Sequence, residues 1–266
     1  MVYVFPKYPY RFLAGLPIAI CLGALSVIVA AVSLANRQAG HLPPGVTFPP
    51  ISLAMAKDPE RTLGQVGFPL VAFLFVIAYL PFKNVAVGSV EKRHKDTVSN
   101  ACWAALVGFV CLGIVGGIPL QDNAVDLMST NNRGTKPALE TQSIIHQLAA
   151  AIFFMCSIWH SSTMLGIMQD TSSPILNAND KRNYWSFFFK QGSMYMMFLP
   201  AVVSFALHPT SSLSKILHLD KVIKAGDIGG ISQYIAVFAV MIFFTSYSID
   251  FYHCHKLSNI QSNKTD

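Results

Sequence analysis

Charge is the scarce ingredient of this chain. Only 12% of its 266 residues are Asp, Glu, Lys or Arg, against about a quarter in a soluble domain. Helices of a soluble bundle carry charges every few residues on their wet face, so that class is excluded. The short signatures of many enzymes are also missing. There is no P-loop, no glycine fingerprint of a dinucleotide fold, no nucleophile elbow and no zinc-protease helix motif. The five cysteines supply no disulfide framework. Cys21, Cys102, Cys111 and Cys156 fall in apolar stretches, where cysteine is a small buried hydrophobe.

Apolar residues make up 53% of the chain and the mean hydropathy is +0.46. They are gathered into blocks rather than spread evenly. A hydrocarbon core about 30 Å thick requires about 20 apolar residues of helix at roughly 1.5 Å per residue. Six blocks meet this: Phe12 to Ala35, Val66 to Val87, Ala101 to Leu120, Ser143 to Met168, Trp185 to Leu207 and Gly230 to Phe251. The expected fold is all-α, a polytopic six-helix transmembrane bundle forming one domain over residues 1–266. Lys7 and Arg11 precede the first block, which is too long for a signal-peptide core and reads as a retained anchor. Prolines at 17, 69, 81, 119 and 200 suggest kinks or broken helix ends, which packed membrane helices tolerate.

The connecting segments set the orientation. The cluster Lys92, Arg93 and Lys95 lies in a short loop on the side shared with both termini, so both ends are expected in the cytosol. The sequon Asn263-Lys264-Thr265 then stays out of reach of glycosylation. The net charge of +6 fits cytosolic loops facing anionic lipid and requires no nucleic-acid partner. Cys254 follows the sixth block at the membrane surface, where cysteines can be palmitoylated. The triplet His253-Cys254-His255 has metal-ligand residue types, but adjacent side chains diverge and an interfacial polar run explains it better. No metal site and no cofactor are expected.

Chemistry must therefore rest on polar residues inside the blocks, which are costly there. The fourth block opens on Gln142, Ser143, His146 and Gln147 and closes on Ser157, His160 and Ser161. His146, Ala149, Ala150, Phe153, Ser157 and His160 recur at helical spacing and define one inward face rich in small residues. His146 and His160 are about 21 Å apart along the axis and cannot share one small site. His146 belongs at the lumenal end, where an interhelical hydrogen bond competes with a catalytic role. His160, beside Trp159, is expected to anchor the cytosolic interface. In the sixth block Gln233 and Tyr234 stand near the lumenal start, with Tyr247 and Asp250 near the cytosolic end. Tyr234 and Trp185 also suit an interfacial aromatic belt. Asp250 is the only intramembrane charge candidate, it fits the water boundary equally well, and no broken-helix repeat supports a transporter.

The first lumenal loop, His41 to Ser52, is too rich in Pro and Gly to be helix. Lys57-Asp58-Pro59-Glu60-Arg61 then leads into the second block. Pro59 and Glu60 suit the first turn of a helix, and Arg61 would lie at the depth of a phospholipid phosphate.

In order along the chain, Pro50-Ile51-Ser52, Pro59-Glu60-Arg61, Ile145-His146-Gln147-Leu148-Ala149 and Gln233-Tyr234 resemble the six-helix family of Frag, DRAM and Sfk proteins. They are closest to its branch that acts on GPI lipids after attachment to protein, with Pro-Ser-Ile-Ser, Pro-Gln-Arg, Ile-His-Glu-Asn-Ala and Glu-Tyr elements. Asn183-Tyr184-Trp185-Ser186 matches its aromatic entry to the fifth helix. Gln147 and Gln233 stand where that branch has acids, which removes two carboxylates from the lumenal side. Pro50-Ile51-Ser52 is one residue shorter. The resemblance implies fatty-acid remodelling of GPI anchors in the Golgi, replacing the sn-2 chain of a lyso-GPI by acyl transfer. Membrane lipid would then be the partner, His146 the general base, and Ser52, Arg61, Gln147, Gln233 and Tyr234 the substrate contacts. Acyl-CoA is cytosolic, so the donor is either a phospholipid or a chain reaching across. The alternative is a non-enzymatic adaptor of the DRAM or Sfk type, acting in autophagy or phosphoinositide signalling.

Overall fold

The apolar blocks do form helices, and most run past the ends that hydrophobicity alone marks. The computed structural model describes residues 8–42, 45–121, 141–207 and 225–262. Among the described residues every regular element is helical. These are α1 (Tyr10–Arg37), the short α2 (Ile51–Ala54), α3 (Glu60–Ser89), α4 (Lys95–Gly117), α5 (Thr141–Asp170), α6 (Tyr184–Leu207), α7 (Ala225–Thr245) and α8 (Tyr247–Ser262). A 3-10 turn, Lys92–His94, leads into α4. The sequon at Asn263 lies outside the described residues.

Among the described residues, five stretches are long and apolar enough to span a bilayer: Tyr10–Arg37, Glu60–Ser89, Lys92–Gly117, Thr141–Asp170 and Asp227–Ile260. The chain is a multi-pass membrane protein. α6 has the length, at 24 residues, but Lys190 and Gln191 interrupt its Phe-rich start. The start of α1 lies beside the later turns of α8, since Tyr8 to Phe12 share a groove with His255, Ser258 and Asn259.

Each long helix is apolar on two faces. On α3, Phe68, Val71, Phe75, Ala78, Tyr79 and Phe82 are buried, while Val66, Leu70, Phe73, Ile77 and Leu80 form an exposed stripe at the same three-to-four spacing. In water such a stripe is a liability; in a bilayer it is the lipid face. α4 packs along both α3 and α5, α6 along α7, and α1 against α3 and α8. Small residues let the backbones approach: a Cβ on Gly116 would stand 2.4 Å from the Cβ of Phe68. Such contacts bind membrane helices, where hydrophobicity contributes little between them.

The helices run through Pro17, Pro69, Pro81 and Pro200. The break falls instead at Ser246, between α7 and α8, where no proline stands. Because α8 continues to Ser262, Cys254 is 1% exposed rather than surface-accessible, which removes it as a palmitoylation site. His253 is half-buried with Nδ1 3.1 Å from the Asn183 Oδ1, a structural role rather than an interfacial polar run.

Candidate functional site

The loop between α1 and α3 is held to the start of α7. The carboxylate of Asp227 accepts from the backbone N–H of Thr47 (2.7 Å) and Phe48 (2.8 Å). Gln233 Oε1 accepts from the Ile51 N–H at 2.5 Å, and the Tyr234 hydroxyl donates to the Pro49 carbonyl at 2.9 Å. A loop at membrane depth must satisfy its backbone on protein, and α7 supplies those partners. Gly230 makes the approach feasible: a Cβ there would lie 1.8 Å from the Phe48 carbonyl oxygen.

This seat fixes α2. Ile51, Leu53 and Ala54 are at most 6% exposed, and Ser52 is the one α2 residue that is not buried. Its Oγ lies 2.8 Å from His146 Nε2, bridging 94 residues of sequence. The other imidazole nitrogen, Nδ1, lies 2.8 Å from the carbonyl of Ile118, just after α4. A carbonyl can only accept, so Nδ1 carries the proton and Nε2 presents its lone pair to the serine hydroxyl. Hydroxyl, base and a third group orienting the base thus stand in line, the arrangement that activates a weak nucleophile.

The pair sits at the head of an apolar cavity between α1, α3, α4, α5 and α7. Ser52, Arg61, His146 and Gln233 surround the polar end; Ile28, Phe68, Leu112, Phe153, Val237 and Met241 are among the walls. Phe75, Phe109 and Phe244 line the far end. Phe109 stacks on Phe75 and lies against Phe244, each at 4.8 Å between centroids. From Gln233 to Phe244 the α7 wall rises about 16 Å, about half of a hydrocarbon core roughly 30 Å thick. That is the depth one leaflet's acyl chain occupies.

The expected site residues are brought together unequally. Ser52, Arg61, His146 and Gln233 meet at the cavity. Arg61 folds back, its Nε and Nη2 donating to the Ala56 carbonyl, the former at 3.0 Å. Gln233 and Tyr234 hold the Ser52 loop, and Tyr234 packs at the rim rather than in an exposed belt. Gln147 is exposed and does not line the cavity. The side chain of Glu60, 0% exposed, lies 3.0 Å from His41 Nδ1. Among the described residues no three His, Cys, Asp or Glu side chains converge as metal ligands.

Beyond the aromatic layer lies a second polar cluster. His160 is 0% exposed, not an interfacial anchor, because α5 continues to Asp170, about 15 Å further along the axis. Its Nδ1 donates to the Ala101 carbonyl at 2.8 Å, and its Nε2 lies 2.5 Å from the Tyr247 hydroxyl and 3.1 Å from that of Tyr79. Asp250, also 0% exposed, is not at the water boundary. It pairs with Lys190 at 2.7 Å, and its other oxygen accepts from Ser186 at 2.5 Å. Lys190 lies inside the fifth apolar block, so Asp250 is not the only intramembrane charge. An ammonium in a membrane block demands a buried acid, which was the available signal. Ile118 left no signal, since its contribution is a backbone carbonyl.

No curated protein and no solved structure matches this chain. A family model, that of the Frag1/DRAM/Sfk1/Cwh43P N-terminal domain, matches residues 12–254. Spanning nearly the whole helical bundle and every residue of the Ser52–His146 site, that match makes the chain a member of the Frag1/DRAM/Sfk1/Cwh43P N-terminal domain family.

Proposed function

We propose that this protein remodels GPI lipids in the Golgi membrane by transferring a fatty-acyl group to the free sn-2 hydroxyl of a lyso-GPI. Both termini then face the cytosol and the Ser52 loop faces the lumen, where GPI lipids reside. The observation that carries this reading is His146 Nε2, 2.8 Å from the Ser52 hydroxyl at the head of a one-leaflet apolar cavity. A base whose lone pair is aimed by a fixed tautomer suits proton removal from a hydroxyl, worth about 10²–10⁴-fold in rate. The apolar wall suits the chain being transferred, and Arg61 at the polar end suits a phosphate.

Support also comes from the ordered elements that resemble those of post-GPI attachment to proteins factor 2. Two carboxylates of that protein are glutamines here, at 147 and 233. The loss is tolerable for this chemistry, because the Ile118 carbonyl orients His146 without an acid. Deleting the gene and profiling the lipid of GPI-anchored proteins by mass spectrometry tests the proposal. Lyso or unremodelled sn-2 chains are expected to accumulate; an unchanged lipid profile would favour the adaptor reading instead.

A further inference from the structure

Resting on the acyl-transfer reading, we propose that Ser52 is the nucleophile that carries the acyl group, and that the donor is a glycerophospholipid of the leaflet on the Ser52 side of the cavity. Three observations converge. Ser52 is the only α2 residue left unburied, and it lines the cavity. Its hydroxyl is bonded to a base that is itself oriented by a third group. Its loop is fixed by four hydrogen bonds shared with Asp227, Gln233 and Tyr234 of α7, more than a mere connection requires and what a positioned nucleophile needs.

The donor follows from where the cavity ends. Phe75, Phe109 and Phe244 close its far end, and Phe244 stacks on the fully buried His160, rings 3° from parallel. Tyr79 and Tyr247 pack in the same layer. A soluble thioester on the His160 side would have to pass this buried, packed aromatic layer. An ester in the leaflet beside His146 would not.

The chemistry balances without a further reactant. Ser52 Oγ attacks the donor ester carbonyl while His146 Nε2 takes its proton. The ester C–O bond breaks, and the proton passes to the departing lysophospholipid oxygen, leaving acyl-Ser52. The hydroxyl of the lyso-acceptor then gives its proton to the same nitrogen and attacks the acyl-serine carbonyl. Ser52 departs as alkoxide and recovers the proton. Nothing is oxidised or reduced.

The test uses the purified full chain in vesicles of phosphatidylcholine carrying isotopically labelled acyl chains, with lysophosphatidylinositol as acceptor and no acyl-CoA. Wild type is expected to move label to the acceptor, and an alkyl fluorophosphonate to modify Ser52, as mapped by mass spectrometry. Ser52→Ala should lower transfer by at least about 10³-fold, and His146→Ala should slow probe attachment comparably. Ser52→Cys keeps a nucleophile and would yield a thioester that hydroxylamine releases, which covers a poorly folding alanine variant. Transfer retained in Ser52→Ala but lost in His146→Ala overturns the acyl-serine and leaves general-base transfer standing. Transfer appearing only when acyl-CoA is added overturns the phospholipid donor. Transfer unaffected by either substitution overturns both this proposal and the reading beneath it.

Discussion

His146 and His160 lie on one helix and obey one rule. Each donates its Nδ1 proton to a backbone carbonyl in or just after α4, and each presents Nε2 to a hydroxyl. They differ in what surrounds that hydroxyl: Ser52 lines the large apolar cavity, whereas Tyr247 is buried at 2% exposure among aromatic rings. That a polar residue in an apolar block must find a partner was legible in the sequence. Which partner was not, because Ser52 is 94 residues away and Ile118 offers only backbone. Outside the membrane, Glu91 shows how much one residue can hold. It accepts from the side chain and backbone of Ser172 and from Thr171, which pull its carboxyl from the ordinary 4.5 down to about 2. A depressed carboxyl stabilises the folded state fully above about 4.5, and that contribution is lost as pH falls through about 2. Hydrogen-exchange protection of the Ser172 amide should therefore hold steady from pH 8 to 5 and decline towards pH 2. In Glu91→Gln it should be lower and flat. Protection that already fails near pH 5 in the wild type would remove the hydrogen-bonded carboxylate.

Among the elements, α7 has the largest part in building the site although it contributes only Gln233 to the polar end. Its first turns hold the Thr47–Ile51 segment, and Gly230 gives that segment room. Gly230→Ala would place a methyl group inside the Phe48 carbonyl's contact distance, an overpacking that costs about 1–3 kcal/mol and displaces α2. Acyl transfer should fall at least tenfold while helical circular dichroism and membrane abundance stay near wild type. Unchanged transfer would mean the loop can sit elsewhere and Ser52 needs no such seat. Helix existence was legible from block length; helix ends were not. α8 carries polar residues to Ser262, well past its apolar block, whereas α5 stops at Asp170, just beyond Met168. That overrun explains why Asp250 and Cys254, expected near the surface, are buried; His160 is buried because it faces Ala101, Tyr79 and Tyr247 inside the bundle.

At the scale of the whole molecule, two polar centres are separated by an aromatic layer, and they serve different ends. Lys190–Asp250 joins α6 to α8 with both side chains at 0% exposure. Removing one member leaves an uncompensated buried charge, a loss of about 3–5 kcal/mol. Lys190→Met or Asp250→Leu alone should cut abundance in membranes, and the double variant should restore most of it. Single variants as stable as wild type would mean the pair is not a tie. The lipid-facing helices and the family were legible from hydropathy and ordered motifs, whereas this tie required α6 and α8 to be placed side by side. The site centred on His146, by contrast, should govern activity without governing folding, since one interhelical hydrogen bond is worth only about 0.6–2 kcal/mol. The most direct test is to express His146→Ala and His160→Ala in cells lacking the protein, and to measure protein level together with the acyl chains of GPI lipids. His146→Ala is expected at near-normal abundance with at least a hundredfold loss of remodelling, and His160→Ala with remodelling in proportion to whatever protein remains. Normal GPI chains in cells expressing His146→Ala at normal abundance would contradict the acyl-transfer role of the Ser52–His146 pair.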